Sequence, residues 1–169
     1  MAEEIVNKVA NSGLININLE DYYSKGQRFH LDIEPWLYEG LILREKDFRQ
    51  SLKGHDWSIY KEAFVSVNCS ADAIIPQWAY MLIGTLLQDH AAKVIIGESE
   101  VLEAQIMEEN ISKIDMSQFQ DKRVIIKGCG DLPIPSQAYL SFAAKLKPFA
   151  KSIMFGEACS MVPIYKNKS

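Results

Sequence analysis

Asp72-Ala-Ile-Ile-Pro76-Gln-Trp-Ala79-Tyr80 lies over Asp131-Leu-Pro-Ile-Pro135-Ser-Gln-Ala138-Tyr139, with the Asp, the Ile before the Pro, the Pro, the Ala and the Tyr in common. At the same offset Leu87 meets Leu146, Ala91 meets Ala150, and Gly97-Glu98 meets Gly156-Glu157, so nine of 27 aligned positions are identical. Just upstream, with one residue of slack, Cys69 meets Cys129. Helix capping alone accounts for a shared Asp and Pro. It does not account for Cys, Ala-Tyr and Gly-Glu together, so the stretch reads as a duplication.

Working outward, Ala63-Phe64-Val65-Ser66-Val67 reads as a strand, Ile74 to His90 as a helix and Lys93-Val94-Ile95-Ile96 as a second strand. Glu98 to Ser112 follows as a helix, Arg123 to Lys127 as a third strand, and Ser136 to Lys147 as a helix. Ser152 to Phe155 is a fourth strand, with a fifth over Met161 to Tyr165. β-Branched strands alternating with helices of about 12 residues read as βαβ units on a parallel sheet. Their near-continuous apolar character fits burial on both faces. The repeating unit is strand, Cys, short acidic turn, Pro-opened helix, strand, Gly-Glu.

The N-terminal third reads differently. Ile5, Val6 and Val9 share a helical face ending at Gly13; Leu14 to Leu19 and Arg28 to Ile33 alternate as strands, a hairpin across Gly26. Pro35 then opens a helix with Trp36, Leu37, Leu41, Phe48 and Leu52 inside and Gly54 as its stop. The expected fold is therefore α/β: one domain over 1–169 with a mainly parallel sheet flanked by helices. Residues 1–60 form a helix/hairpin/helix extension and 61–169 a duplicated βαβ core.

With 169 residues and 48% hydrophobic content the chain holds one sizeable core. Lys and Arg number 18 against 22 Asp and Glu, a net charge of -4 that argues against nucleic acid or an anionic membrane as partner. No apolar run approaches the roughly 18 residues a membrane span needs. The acidic Met1-Ala2-Glu3-Glu4 start lacks signal-peptide character, so a cytoplasmic location with reduced thiols is expected.

Three cysteines with no close pair exclude a disulfide framework. Ligands of open parallel sheets bind beyond the carboxyl ends of strands, and Cys69, Cys129 and Cys159 each follow an expected strand within a few residues. All three are expected at one edge of one sheet. Thiolates near helix N-termini are stabilised toward metal binding or nucleophilic attack. Asp72, Asp131 and His55 are candidate fourth ligands, although Asp72 and Asp131 also read as helix N-caps. Three cysteines plus one such ligand suit Zn²⁺; iron or an iron–sulfur cluster also fits. The alternative for the cysteines is that they are small buried hydrophobes.

Gly128-Cys129-Gly130-Asp131-Leu132-Pro133 begins like a dinucleotide-binding loop but has Pro where the third Gly belongs, so no nucleotide is expected. GxxxxGK[ST], HExxH and GxSxG do not occur. His30 and His90 read as structural or solvated, Trp78, Tyr80 and Tyr139 as core, and Arg44-Glu45-Lys46-Asp47 as a salt-paired helix face.

Glu39-Gly-Leu-Ile-Leu-Arg-Glu-Lys-Asp-Phe48-Arg, Cys69-Ser-Ala-Asp-Ala-Ile-Ile-Pro76, Lys127-Gly-Cys-Gly-Asp131 and Ala150 to Tyr165 resemble an uncharacterised Bacteroidetes domain-of-unknown-function family, DUF2480-like. The resemblance spans nearly the whole chain and hands over no catalytic residues. Through the association of such genes with iron–sulfur assembly genes, it implies a role near sulfur or iron handling, with iron–sulfur assembly proteins as partners. Three functions remain open. The first is a small metal- or iron–sulfur-binding accessory protein using the three cysteines. The second is a thiol enzyme or persulfide carrier using Cys129. The third is an interaction scaffold with inert core cysteines, and a homo-oligomer is compatible with each.

Overall fold

β-Branched runs become strands and the runs behind Pro76 and Pro135 become helices. The computed structural model describes residues 13–128, 130–157 and 160–168. In chain order the strands are β1 (Leu14–Ile17), β2 (Arg28–Asp32), β3 (Phe64–Asn68), β4 (Lys93–Ile96), β5 (Arg123–Ile126), β6 (Ser152–Glu157) and β7 (Ser160–Lys166). The helices are α1 (Glu45–Gly54), α2 (Gln77–Gln88), α3 (Ser99–Ser112) and α4 (Ser136–Leu146). Short 3-10 turns stand at Leu19–Tyr22, Glu34–Trp36, Trp57–Tyr60 and Met116–Phe119. The fold is mixed α/β, its sheets mainly parallel and flanked by helices. The helix expected over residues 2–11 lies outside the described residues.

The strands form two sheets: one of four with order β1-β5-β6-β7, and one of three with order β2-β3-β4. Every pair is parallel except β6 with β7. By contacts the chain divides into two compact units, one made of Met1–Ser24 with Ile106–Ser169 and the other of Lys25–Gln105. The first is thus split by the second, which is inserted into it.

The expected hairpin of β1 and β2 is not formed. β1 pairs with β5, Leu14 opposite Arg123, while β2 pairs with β3, Arg28 opposite Phe64. Alternation announces a strand without naming its partner, and the ten residues between the two begin with a 3-10 turn instead of a tight reversal. The helix expected behind Pro35 is also shorter. Pro35 sits in a 3-10 turn, Glu39 and Gly40 take positive φ of 51° and 68°, and α1 starts only at Glu45. Phe48 and Leu52 are its buried side, whereas Leu41 is 61% exposed.

The two units repeat one another in detail, at an offset of 59 residues. Asp56 accepts from the Ser58 N–H at 3.0 Å and its hydroxyl at 2.6 Å, and Asp115 accepts from both groups of Ser117 at the same distances. Glu62 and Asp121 take φ of 56° and 58°; each N–H donates 2.9 Å to the carbonyl of His90 or Phe149. Ala79, Ile83 and Leu87 are the buried stripe of α2, and Ala138, Phe142 and Leu146 that of α4. These i, i+4 stripes each cover one sheet face. Ile83 and Leu87 join Leu31, Val65 and Phe48 in the inserted unit, while Phe142 and Leu146 join Ile17, Val124 and Ile153 in the split unit.

Candidate functional site: the turns behind the parallel strands

Cys69 is the residue after β3, and its half-buried side chain packs against the core of the inserted unit. The turn it opens is held by Asp32, the last residue of the neighbouring β2. One carboxylate oxygen accepts the Ser70 N–H at 2.9 Å and the Glu34 N–H at 3.0 Å, and the other accepts the Ser70 hydroxyl at 2.5 Å. Burial opposes charge on Asp32, yet the Ser70 hydroxyl, the two N–H groups and nearby His30 outweigh it, and its pKa lies below the ordinary aspartate value. Asn68 donates to the Glu98 carboxylate, while its own Oδ1 is buried without a partner. Tyr80 lies near enough to Cys69 that, after burial, a thiolate there is a second cause raising its phenol pKa.

The split unit builds the corresponding turn with Glu20. Its carboxylate accepts the Leu132 N–H, and Asn18, which occupies the position of Asp32, donates its amide to Glu20 at 3.3 Å. The Leu132 N–H is the main reason the Glu20 pKa lies below the carboxylate norm. Modest desolvation pulls the other way; the Asn18 amide, the Asp131 N–H and Lys127 add to the lowering. Glu20 also explains a glycine: a Cβ on Gly130 would run into its carboxylate. A Cβ on Gly128 would come within 2.5 Å of the Phe155 ring. Gly128 and Gly130 are therefore each closely walled by a side chain from a distant segment, a packing requirement for glycine at both positions.

The expected site residues fall as follows. β3, which leads to Cys69, belongs to the three-stranded sheet, whereas β5 and β6, which lead toward Cys129 and Cys159, belong to the four-stranded one. One sheet edge bearing all three cysteines is therefore not formed. Cys129 and Cys159 themselves lie outside the described residues. Asp72 and Asp131 are exposed and are not helix caps, since Pro76 and Pro135 hold those positions with extended backbone and no side-chain cap bond. His55 places Nε2 at 2.9 Å from the Tyr60 hydroxyl, stacks on that ring and meets Trp36 and Trp57 edge-on. His30 Nδ1 is 2.8 Å from the Ser66 hydroxyl. Among the described residues no three of His, Cys, Asp and Glu form a group able to hold a metal ion.

Sequence reasoning missed Asp32 and Glu20. Asp32 was legible as the last polar residue of an expected strand, the position where parallel sheets place ligand-side groups. Glu20 carried no such signal, because its partner is over a hundred residues away.

Among the described residues no helix is long and apolar enough to cross a membrane. Comparison with curated proteins and with solved structures found no match. The model of a family described as "Protein of unknown function (DUF2480)" matches residues 3–167, and the chain belongs to that family.

Proposed function

We propose that the protein is a metal- or iron–sulfur-binding accessory protein acting through its cysteine thiols, with Cys129 and Cys159 at the centre. One observation carries the reading. β5 and β6 are adjacent and parallel, with Ile126 opposite Phe155, so the chain segments leading toward these two cysteines leave one sheet at one edge. That is the edge at which open α/β sheets gather their ligands. Thiolates drawn from there suit Zn²⁺ or iron; Cys69 belongs to the duplicate turn of the inserted unit and is the remaining candidate thiol ligand.

Elemental analysis of protein purified without air tests the proposal, combined with a visible spectrum, since an iron–sulfur cluster is coloured and zinc is not. Stoichiometric Zn or Fe in the native chain, lost in Cys129→Ser and in Cys159→Ser, is the expected result. Metal well below one equivalent, or metal unchanged in both variants, overturns it. Cys69→Ser, measured alongside, assigns or removes the third thiol.

A further inference from the structure

At the opposite, amino end of the same strands the split unit carries a second feature. A groove of about 410 Å³ is lined by Arg123, Lys151, Ser152, Pro163, Tyr165 and Lys166, with Met154 and Asn167 completing it. Its volume is that of a small-molecule site. Arg123, Lys151 and Lys166 are exposed and make no ion pair among the described residues, none of whose acids lines the groove.

The positions are fixed by the sheet. Arg123 is opposite Ser152 and Ser152 is opposite Lys166, so the two cations stand on one face with one strand between them. Two strand spacings put their Cα atoms roughly 10 Å apart. The Asn167 N–H donates to the Lys151 carbonyl at 2.9 Å and fastens the end of β7 beside Lys151.

The duplication supplies an internal control. At the 59-residue offset the inserted unit has Phe64 for Arg123 and Ala92 for Lys151. Its own cations in that row are Arg28 and Lys93, which flank Phe64; Arg28 is neutralised by Glu103 at 2.8 Å, and β7, which brings Pro163, Tyr165 and Lys166, has no counterpart in its three-stranded sheet. In the split unit no such acid stands against Arg123, Lys151 or Lys166 among the described residues, in a chain whose net charge is negative. We infer that this groove binds a small phosphorylated ligand: Arg123 and Lys166 engage two anionic groups, Lys151 supplies further charge, and Met154, Pro163 and Tyr165 form an apolar floor.

Titration of ¹⁵N-labelled full-length protein with inorganic pyrophosphate, followed by amide shifts at low salt, tests this. Saturable shifts centred on Ser152, Lys166 and Asn167 are expected. Affinity should fall about tenfold per cation removed in Lys151→Gln/Lys166→Gln, as loss of charge-assisted hydrogen bonds predicts. Both residues are exposed, so the variant keeps its fold, which the unchanged remainder of the spectrum verifies. Lys46→Gln/Lys53→Gln on α1 serves as the charge-matched control and should bind as the native chain does. Shifts that never saturate, equal weakening in the control, or undiminished affinity in the groove variant would each overturn the inference. Phenyl phosphate binding no tighter than inorganic phosphate would remove the apolar floor from it.

Discussion

Gly128 and Gly130 do their work through what they lack. The Phe155 ring stands where a Gly128 side chain would go and is itself held edge-on by Tyr139, with 5.7 Å between ring centres. Gly128→Ala must displace that pair, and overpacking of this kind costs about 1–3 kcal/mol. Urea unfolding should show the loss, while Gly54→Ala at the end of α1, with nothing within 4 Å of the new methyl, should be neutral or slightly stabilising. In the sequence this glycine pair was legible only as a failed dinucleotide loop. Both walls come from distant segments, Glu20 and Phe155, and no local pattern announces them. His55 shows the same gap: its loop was readable, but its bond to Tyr60 and its stacking among Trp36 and Trp57 were not.

The elements were more legible. Both helices were legible from their alternation with the strands and the Pro that opens each, whereas their buried stripes, Ala79, Ile83 and Leu87 and Ala138, Phe142 and Leu146, emerge only from the structure. Strands β3 to β6 were readable from their β-branched runs to within one or two residues. Partnership was not readable, since period-2 alternation is blind to which strand lies alongside. Ile83 and Phe142 occupy equivalent positions and are 1% and 0% exposed. Ile83→Ala should cost about 2–5 kcal/mol and Phe142→Ala about 3–5, both read from urea midpoints at constant m-value. Amide hydrogen exchange in each variant should rise first in the unit that carries the substitution.

At the scale of the whole molecule the same acidic clamp appears in both units, Asp32 on the turn behind β3 and Glu20 on the turn behind β5. Both carboxyls have folded-state pKa values below their unfolded ones. Their stabilisation is therefore complete above the unfolded values, near pH 4 for such groups, and disappears as pH falls through the folded ones. Asp56, Asp115 and Glu108 are shifted in the same direction. Urea midpoints should stay flat from pH 7 to about 5 and drop below it. Asp32→Asn/Glu20→Gln should start lower and lose less on acidification; an unchanged acid slope would show that neither clamp contributes.

Insertion of residues 25–105 into the split unit fixes the order in which a ribosome can deliver a finished sheet. β2, β3 and β4 emerge in succession and find their partners at once, whereas β1 must wait for β5, over a hundred residues later. Throughout that interval Leu14-Ile15-Asn16-Ile17 travels as an unpaired apolar ribbon beside a completed neighbour. The nascent chain thus has a built-in delay at its amino end, where chaperone capture or strand exchange with another nascent chain would strike first.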